Sequence, residues 1–234
     1  MKKIAIFVEG QTDLIFIENL VRNVFGHAKI NLETIRFSGK EGLRRICSIR
    51  LADTASSAQY LFRIYDCHGG GENSTVKSDI HEQFNRLLEE SFSYIIGIRD
   101  VYPLTDTNKL KTMMKLNLPE NEILPIKIIL AVMEIEGWFL AEENHYSQID
   151  SALTIPLVNS IIGFDITTTS TETIERPSLS LKQVYQKASK DYKKKRWEAE
   201  RTVHALDYDN LYLAVRNRND SLKELLTCLD GLVG

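Results

Sequence analysis

Cysteine is scarce, no apolar run is long, and neither charge is in marked excess. Cys47, Cys67 and Cys228 are far apart and form no CxxC pair, which argues against a disulfide frame or a cysteine zinc site and points to reduced thiols in the cytoplasm. No stretch is apolar for long enough to span a bilayer, and the first apolar run is short and broken by Glu9, so neither a membrane segment nor a leader is expected. A net charge of −3 excludes a uniformly basic binder but leaves room for a local basic face. There is no internal repeat, and the one biased tract is the threonine-rich run at residues 166–173. What remains is ordinary for a globular protein: 234 residues, 43% hydrophobic and 26% charged. That suits one soluble domain, alone or with a helical extension.

The informative stretch comes first. Ile4-Ala5-Ile6-Phe7-Val8 reads as a buried strand. Glu9 and Gly10 end it, and Leu14, Ile17, Leu20, Val21 and Val24 then recur at the spacing of one helical face. Thr12 is the expected N-cap, with Asp13 at the positive end of the helix dipole. A strand–turn–helix puts its turn at the carboxyl edge of an α/β sheet, where ligands bind, and it sets the Glu9 carboxylate there.

Two more strand ends deliver acids. Residues 30–37 read as a second strand, followed by a turn and a helix from Leu43 through Ile46, Cys47 and Ile49; Lys40, Arg44 and Arg45 fall on its solvated side. Residues 58–65 make a third strand ending in Asp66-Cys67-His68 and three glycines, a loop whose backbone can approach a ligand closely. A helix over 76–92 leads to a fourth strand over 93–98, which ends at Asp100. In a doubly wound sheet the ends of the first, third and fourth strands gather Glu9, Asp66 and Asp100 in one crevice. Crowded carboxylates repel unless a cation holds them, and hard oxygen donors suit Mg²⁺ or Mn²⁺.

After a polar, basic helix over 105–118, residues 126–132 form a fifth strand, apolar enough to be central or covered on both faces. It runs into Glu134 and Glu136. With a helix starting near Glu134 the two diverge by ~200°, so only one can point into the site; Glu134, nearest the strand end, is chosen as a ligand. Trp138 and Phe139 belong to the core. Residues 146–178 read as an irregular surface excursion. A helical extension follows from 179 to 234, in which residues 187–201 carry seven Lys/Arg against three Asp/Glu, with Tyr192 and Trp197 interleaved. Lys193, Lys194, Lys195, Arg196 and Trp197 suit a nucleic-acid backbone and an exposed base. An amphipathic helix over 221–232 closes the chain.

The opening Ile-Phe-Val-Glu-Gly-Gln-Thr-Asp resembles the start of a TOPRIM domain, the magnesium-binding core of type IA topoisomerases, DnaG-type primases and OLD-family nucleases. The order Glu9, Asp66, Asp100 and then Glu134-x-Glu136-x-Trp138-x-Leu140-Ala141 is similar to TOPRIM-like proteins of bacterial defence loci, over residues 1–145. The resemblance implies an α/β Rossmann-like core, a mainly parallel sheet flanked by helices. It also implies a catalytic Glu9, doubling as general acid or base, and an Asp-x-Asp pair at Asp66. The second aspartate is replaced by His68, which leaves three alternatives: a nitrogen ligand favouring manganese, a proton shuttle, or weakened metal affinity. The expected function is a divalent-metal-dependent nuclease with catalytic Glu9, Asp66, Asp100 and His68 and metal ligands Glu9, Asp66, Asp100 and Glu134. Its partners would be nucleic acid, an ATPase protein and a second copy in a homodimer. The alternatives are a non-catalytic nucleic-acid-binding or regulatory subunit of such an ATPase, and a phosphatase or nucleotide-processing enzyme.

Overall fold

The computed structural model describes residues 1–38, 45–68, 75–102 and 106–233. Among the described residues six strands, β1 (Lys2–Val8), β2 (Ile30–Ser38), β3 (Arg45–Thr54), β4 (Tyr60–Asp66), β5 (Tyr94–Asp100) and β6 (Ile126–Ala131), form one sheet in the order β3-β2-β4-β1-β5-β6. β1 runs parallel to β4 and β5, β2 runs parallel to β4, and β3 returns antiparallel beside β2. The helices are α1 (Gln11–Phe25), α2 (Thr75–Glu89), α3 (Thr107–Lys115), α4 (Glu136–Ala141), α5 (His145–Ile149), α6 (Ile155–Ile162), α7 (Pro177–Gln186), α8 (Arg196–Ala205), α9 (Tyr208–Leu213) and α10 (Asp220–Asp230). This is a Rossmann-like α/β fold, a mainly parallel sheet flanked by helices. Among the described residues no helix is long and apolar enough to cross a membrane, and all three cysteines are free thiols. The chain divides into two compact units, residues 1–99 with 108–130, and residues 100–107 with 131–234.

In the first unit the buried strand β1 is central, and α1 follows at once, with Leu14, Ile17, Leu20 and Val21 buried. The cap differs from expectation. Thr12 lies inside the helix, and Asp13 Oδ2 instead accepts the Gly10 N–H at 3.1 Å, closing the first turn from within. The helix expected from Leu43 is β3 over its described part; Leu43, Lys40 and Arg44 lie outside the described residues. The physical reason is the outer edge of β2, whose backbone groups need partners. Residues 45–54 supply them, and Arg50 and Thr34 both bind the buried Glu18 carboxylate of α1 (Thr34 Oγ1 at 2.6 Å). β6 is not central but ends the sheet order; residues 128–131 are buried in succession, so both its faces are covered. Gly97 of β5 allows this closeness: a Cβ there would stand 2.8 Å from Ile128 Cδ1 and 2.9 Å from Ile80 Cδ1.

The second unit is helical where an irregular excursion was expected. α5 and α6 occupy residues 145–162, and the threonine run is pinned rather than loose. Thr171 is fully buried, its hydroxyl within hydrogen-bond distance of the Gly137 carbonyl (2.6 Å) and Asn219 Oδ1 (3.0 Å). Trp138 and Phe139 are core residues, and Trp138 Nε1 donates to Ser221 Oγ at 2.8 Å. The tail is helical only in part: residues 187–195 form the connection between α7 and α8.

Glu142, fully buried, is a hub of this unit. Its carboxylate accepts the backbone N–H groups of Asn144 (2.8 Å), His145 (2.9 Å) and Asp207 (3.2 Å) and the Asn210 amide (2.7 Å). Burial raises its pKa, but the donors of His145, Asn210 and Asn144 outweigh burial and hold it below the ordinary value. A depressed carboxylate contributes stability that is present above the unfolded pKa and lost as pH falls through the folded one. Glu142→Gln should therefore lower stability by about 1–3 kcal/mol at pH 7, and melting curves of the two proteins should converge at the acid end.

Candidate metal centre

Three carboxylates meet in the second unit. The potential ligand atoms of Asp100, Glu134 and Glu136 all lie within 4.8 Å of one another, and this group could hold a metal ion. Local backbone geometry explains the convergence. Beyond the strand ends, Val101 N–H bonds the Ala131 carbonyl at 3.0 Å and Tyr102 N–H bonds the Met133 carbonyl at 2.7 Å. Met133 adopts a left-handed conformation (φ +63°), turning the chain before α4 begins at Glu136. Asp100 Oδ1 accepts the Ile135 N–H at 2.9 Å, which fastens the end of β5 to this turn.

That turn corrects the expectation for the Glu-x-Glu pair. Their divergence presumes that both residues are helical. Glu134 precedes the helix and Glu136 opens it, so both enter the cluster. Glu136, passed over in the sequence, is the more buried, with no exposed surface. The two-residue spacing was the available signal, and the left-handed Met133 was not visible in it.

The surroundings separate the two glutamates electrostatically. Glu134 accepts the Ser178 N–H at 2.8 Å and the Ser178 hydroxyl at 3.0 Å, and Lys194 Nζ stands 3.0 Å from its Oε1. Burial works to raise its pKa, but Lys194 and Ser178 overcome it and hold the carboxyl below its usual value. Glu136 goes the other way. Burial pushes its carboxyl up, and Glu134 adds to that against the pull of Lys194. Tyr192, itself buried, donates to Glu136 Oε1 at 2.9 Å. Lys194 Nζ is 3.0 Å from Glu136 Oε2, and no other donor reaches this buried oxygen. An all-oxygen set, with one buried oxygen served only by the lysine ammonium, fits a hard divalent cation.

Glu9 and Asp66 lie in the first unit, at the carboxyl ends of the adjacent strands β1 and β4, where Val8 pairs with Asp66. Each has an arginine. Arg99 Nε is 3.5 Å from Glu9 Oε1, and Arg36 Nε is 3.3 Å from Asp66 Oδ2. Asp66 Oδ1 also accepts the N–H of the exposed His68 at 3.1 Å. Asp66 closes the third parallel strand of the unit, though the antiparallel β3 makes it the fourth strand in chain order. Residues 69–74, the glycines among them, lie outside the described residues.

The basic run stays exposed, but part of it is paired with acids. Lys194 sits among the acids, Lys193 pairs with Asp191 at 2.6 Å, and Arg196 pairs with Glu200 at 2.8 Å. Lys195 is exposed on the connection. Trp197 is 54% exposed, with the Arg201 guanidinium 5.4 Å from its ring.

The comparisons with known proteins name no family for this Rossmann-like fold with its acidic cluster. No family model matches the chain, and no curated protein matches it in sequence. Among solved structures it is similar to a hypothetical protein from Pyrococcus horikoshii OT3, at 16% identity and a TM-score of 0.49 over 100% of both chains. It is also similar to a structure described as a "putative cell surface hydrolase" from Lactobacillus plantarum WCFS1, at 9% identity and a TM-score of 0.32, over 70% of this chain and 64% of that one. Neither likeness carries an argument about function.

Two outcomes follow from the geometry. A divalent cation at 100 times its Kd should stabilise the protein by about 2.7 kcal/mol, read as a rise in Tm that Asp100→Asn abolishes. Trp197→Ala should leave thermal stability within about 1 kcal/mol of wild type, since most of the ring is in solvent; if the ring stacks on a base, the same change costs ~1–3 kcal/mol of single-strand binding.

Proposed function

We propose that this protein is a divalent-metal-dependent nuclease that hydrolyses phosphodiester bonds in DNA or RNA. Asp100, Glu134 and Glu136 would hold Mg²⁺ or Mn²⁺, and water would be the nucleophile. The observation that carries the reading is the meeting of three carboxylates, one of them with a buried oxygen that only the Lys194 ammonium faces. A bound divalent cation supplies Lewis acidity toward a phosphoryl oxygen. The chain's own contribution is to orient the donors: Ser178 fixes Glu134, Tyr192 fixes Glu136, and the Ile135 N–H fixes Asp100. The TOPRIM resemblance, including its defence-locus relatives, adds Glu9 as general acid or base, with Asp66 and His68 at the neighbouring strand end. Exposed Trp197 and Lys195 are the surface offered to nucleic acid.

One set of observations favours a second reading, a TOPRIM-like nucleic-acid-binding or regulatory subunit that partners an ATPase. Glu9 and Asp66 each face an arginine, and Lys194 sits against Glu134 and Glu136, so the acids are neutralised without any metal.

Incubation of plasmid and single-stranded DNA and RNA with Mg²⁺ or Mn²⁺ separates the two. The nuclease reading expects metal-dependent cutting by the wild type that falls by about 100-fold or more in Asp100→Asn and in Glu9→Ala. Retained binding with no cutting under any metal would favour the subunit.

A further inference from the structure

Lys194 is the one residue of the basic run that turns toward the acids, and its placement is constrained in an unusual way. Its backbone is left-handed, with φ +56°, a conformation few non-glycine residues adopt without support. The support is visible on either side. Glu198 Oε2 accepts the N–H of Lys193 at 2.6 Å and the N–H of Lys195 at 3.1 Å. Tyr192, two residues earlier, is anchored on Glu136. The backbone of the connection is thus fastened at both flanks, and of its basic side chains Lys194 is the one that reaches the acidic cluster, its ammonium 3.0 Å from Glu134 Oε1 and 3.0 Å from Glu136 Oε2.

We infer that Lys194 is a tethered cation that competes with a divalent metal for the carboxylates of Asp100, Glu134 and Glu136, so that the site loads only as this side chain withdraws. The inference rests on the metal reading above and specifies how that site is controlled. A metal bound at roughly 2.0–2.6 Å would need the very oxygens that the ammonium now faces, and two cations cannot share that space without strong repulsion. Withdrawal is local. The Lys194 side chain is 39% exposed, its stem rotates about four single bonds, and the Glu198 anchors hold the backbone whichever way the ammonium points. Tyr192 and Ser178 stay on Glu136 and Glu134 throughout, so the donors remain oriented when the lysine leaves. Metal occupancy and lysine occupancy are then linked with one coupling free energy, and each weakens the other by the same factor.

The test uses the full chain, with Mn²⁺ alone as the probe in isothermal titration calorimetry. Asn tolerates a left-handed backbone, so Lys194→Asn removes the cation without adding strain, and Lys194→Arg keeps it. Lys194→Asn should bind Mn²⁺ about tenfold more tightly than wild type or better, whereas Lys194→Arg should show no such gain. A second readout needs no variant. Mn²⁺ should hasten acetylation of the Lys194 amine in the wild type, read by mass spectrometry, by releasing it from the two carboxylates, and EDTA should reverse this. Equal Mn²⁺ affinity in Lys194→Asn and wild type overturns the inference and leaves the metal site standing. No Mn²⁺ binding by any form overturns both. Should Lys194→Asn fail to fold by circular dichroism, the wild-type labelling decides, and acetylation of Lys194 that is unchanged or slowed by Mn²⁺ overturns the competition.

Discussion

The Glu136 carboxylate is buried completely at the start of a short helix, and much of the second unit is arranged to make that tolerable. A lone carboxylate removed from water costs several kcal/mol unless a cation or good donors compensate. Tyr192 provides one donor and Lys194 a charge, yet burial still pushes the Glu136 carboxyl upward. The left-handed Met133, the Asp100–Ile135 bond and the Lys194 connection all become intelligible as parts of one device for keeping three carboxylates together. Stability alone gives no reason for it: an apolar residue at position 136 would spare the fold a buried charge. Acids gathered at this cost point to a cation.

The first unit was largely legible in the sequence because its strands are local signals. An unbroken apolar run, an acid and a glycine, then a three-and-four apolar repeat can hardly be anything but β1 and α1, and the same logic placed β2, β4, β5 and β6. Asp100 and Glu134 were found as cluster members by following strand ends. The failures have physical causes. The residues of β3 show enough helical spacing to mislead, and what makes them a strand is the open edge of β2, which lies outside the segment. The solid apolarity of β6 reflects covered faces, and nothing in it tells a central strand from an edge.

Long-range partners were illegible for a plainer reason. Lys194 lies 60 residues from Glu134, and within its own sequence it is one lysine of a basic run with nothing to set it apart. Pairing of a charge run with acids elsewhere in the chain depends on packing that only the folded unit defines. The same holds for Thr171 and Asn219, 48 residues apart, which turn a polar tract into buried structure. The acidic pattern was therefore readable as residue types at turns, whereas the identity of the third carboxylate and the presence of an internal cation were not.

The central claim is that Asp100, Glu134 and Glu136 constitute a divalent-cation site. Anomalous scattering from a crystal soaked in MnCl₂ tests it most directly. The account predicts a manganese peak within bonding distance of oxygens from all three residues, roughly 2.0–2.6 Å, with the Lys194 ammonium moved away from Glu134 and Glu136. A crystal at millimolar Mn²⁺ with no peak there and Lys194 still against both glutamates would contradict it.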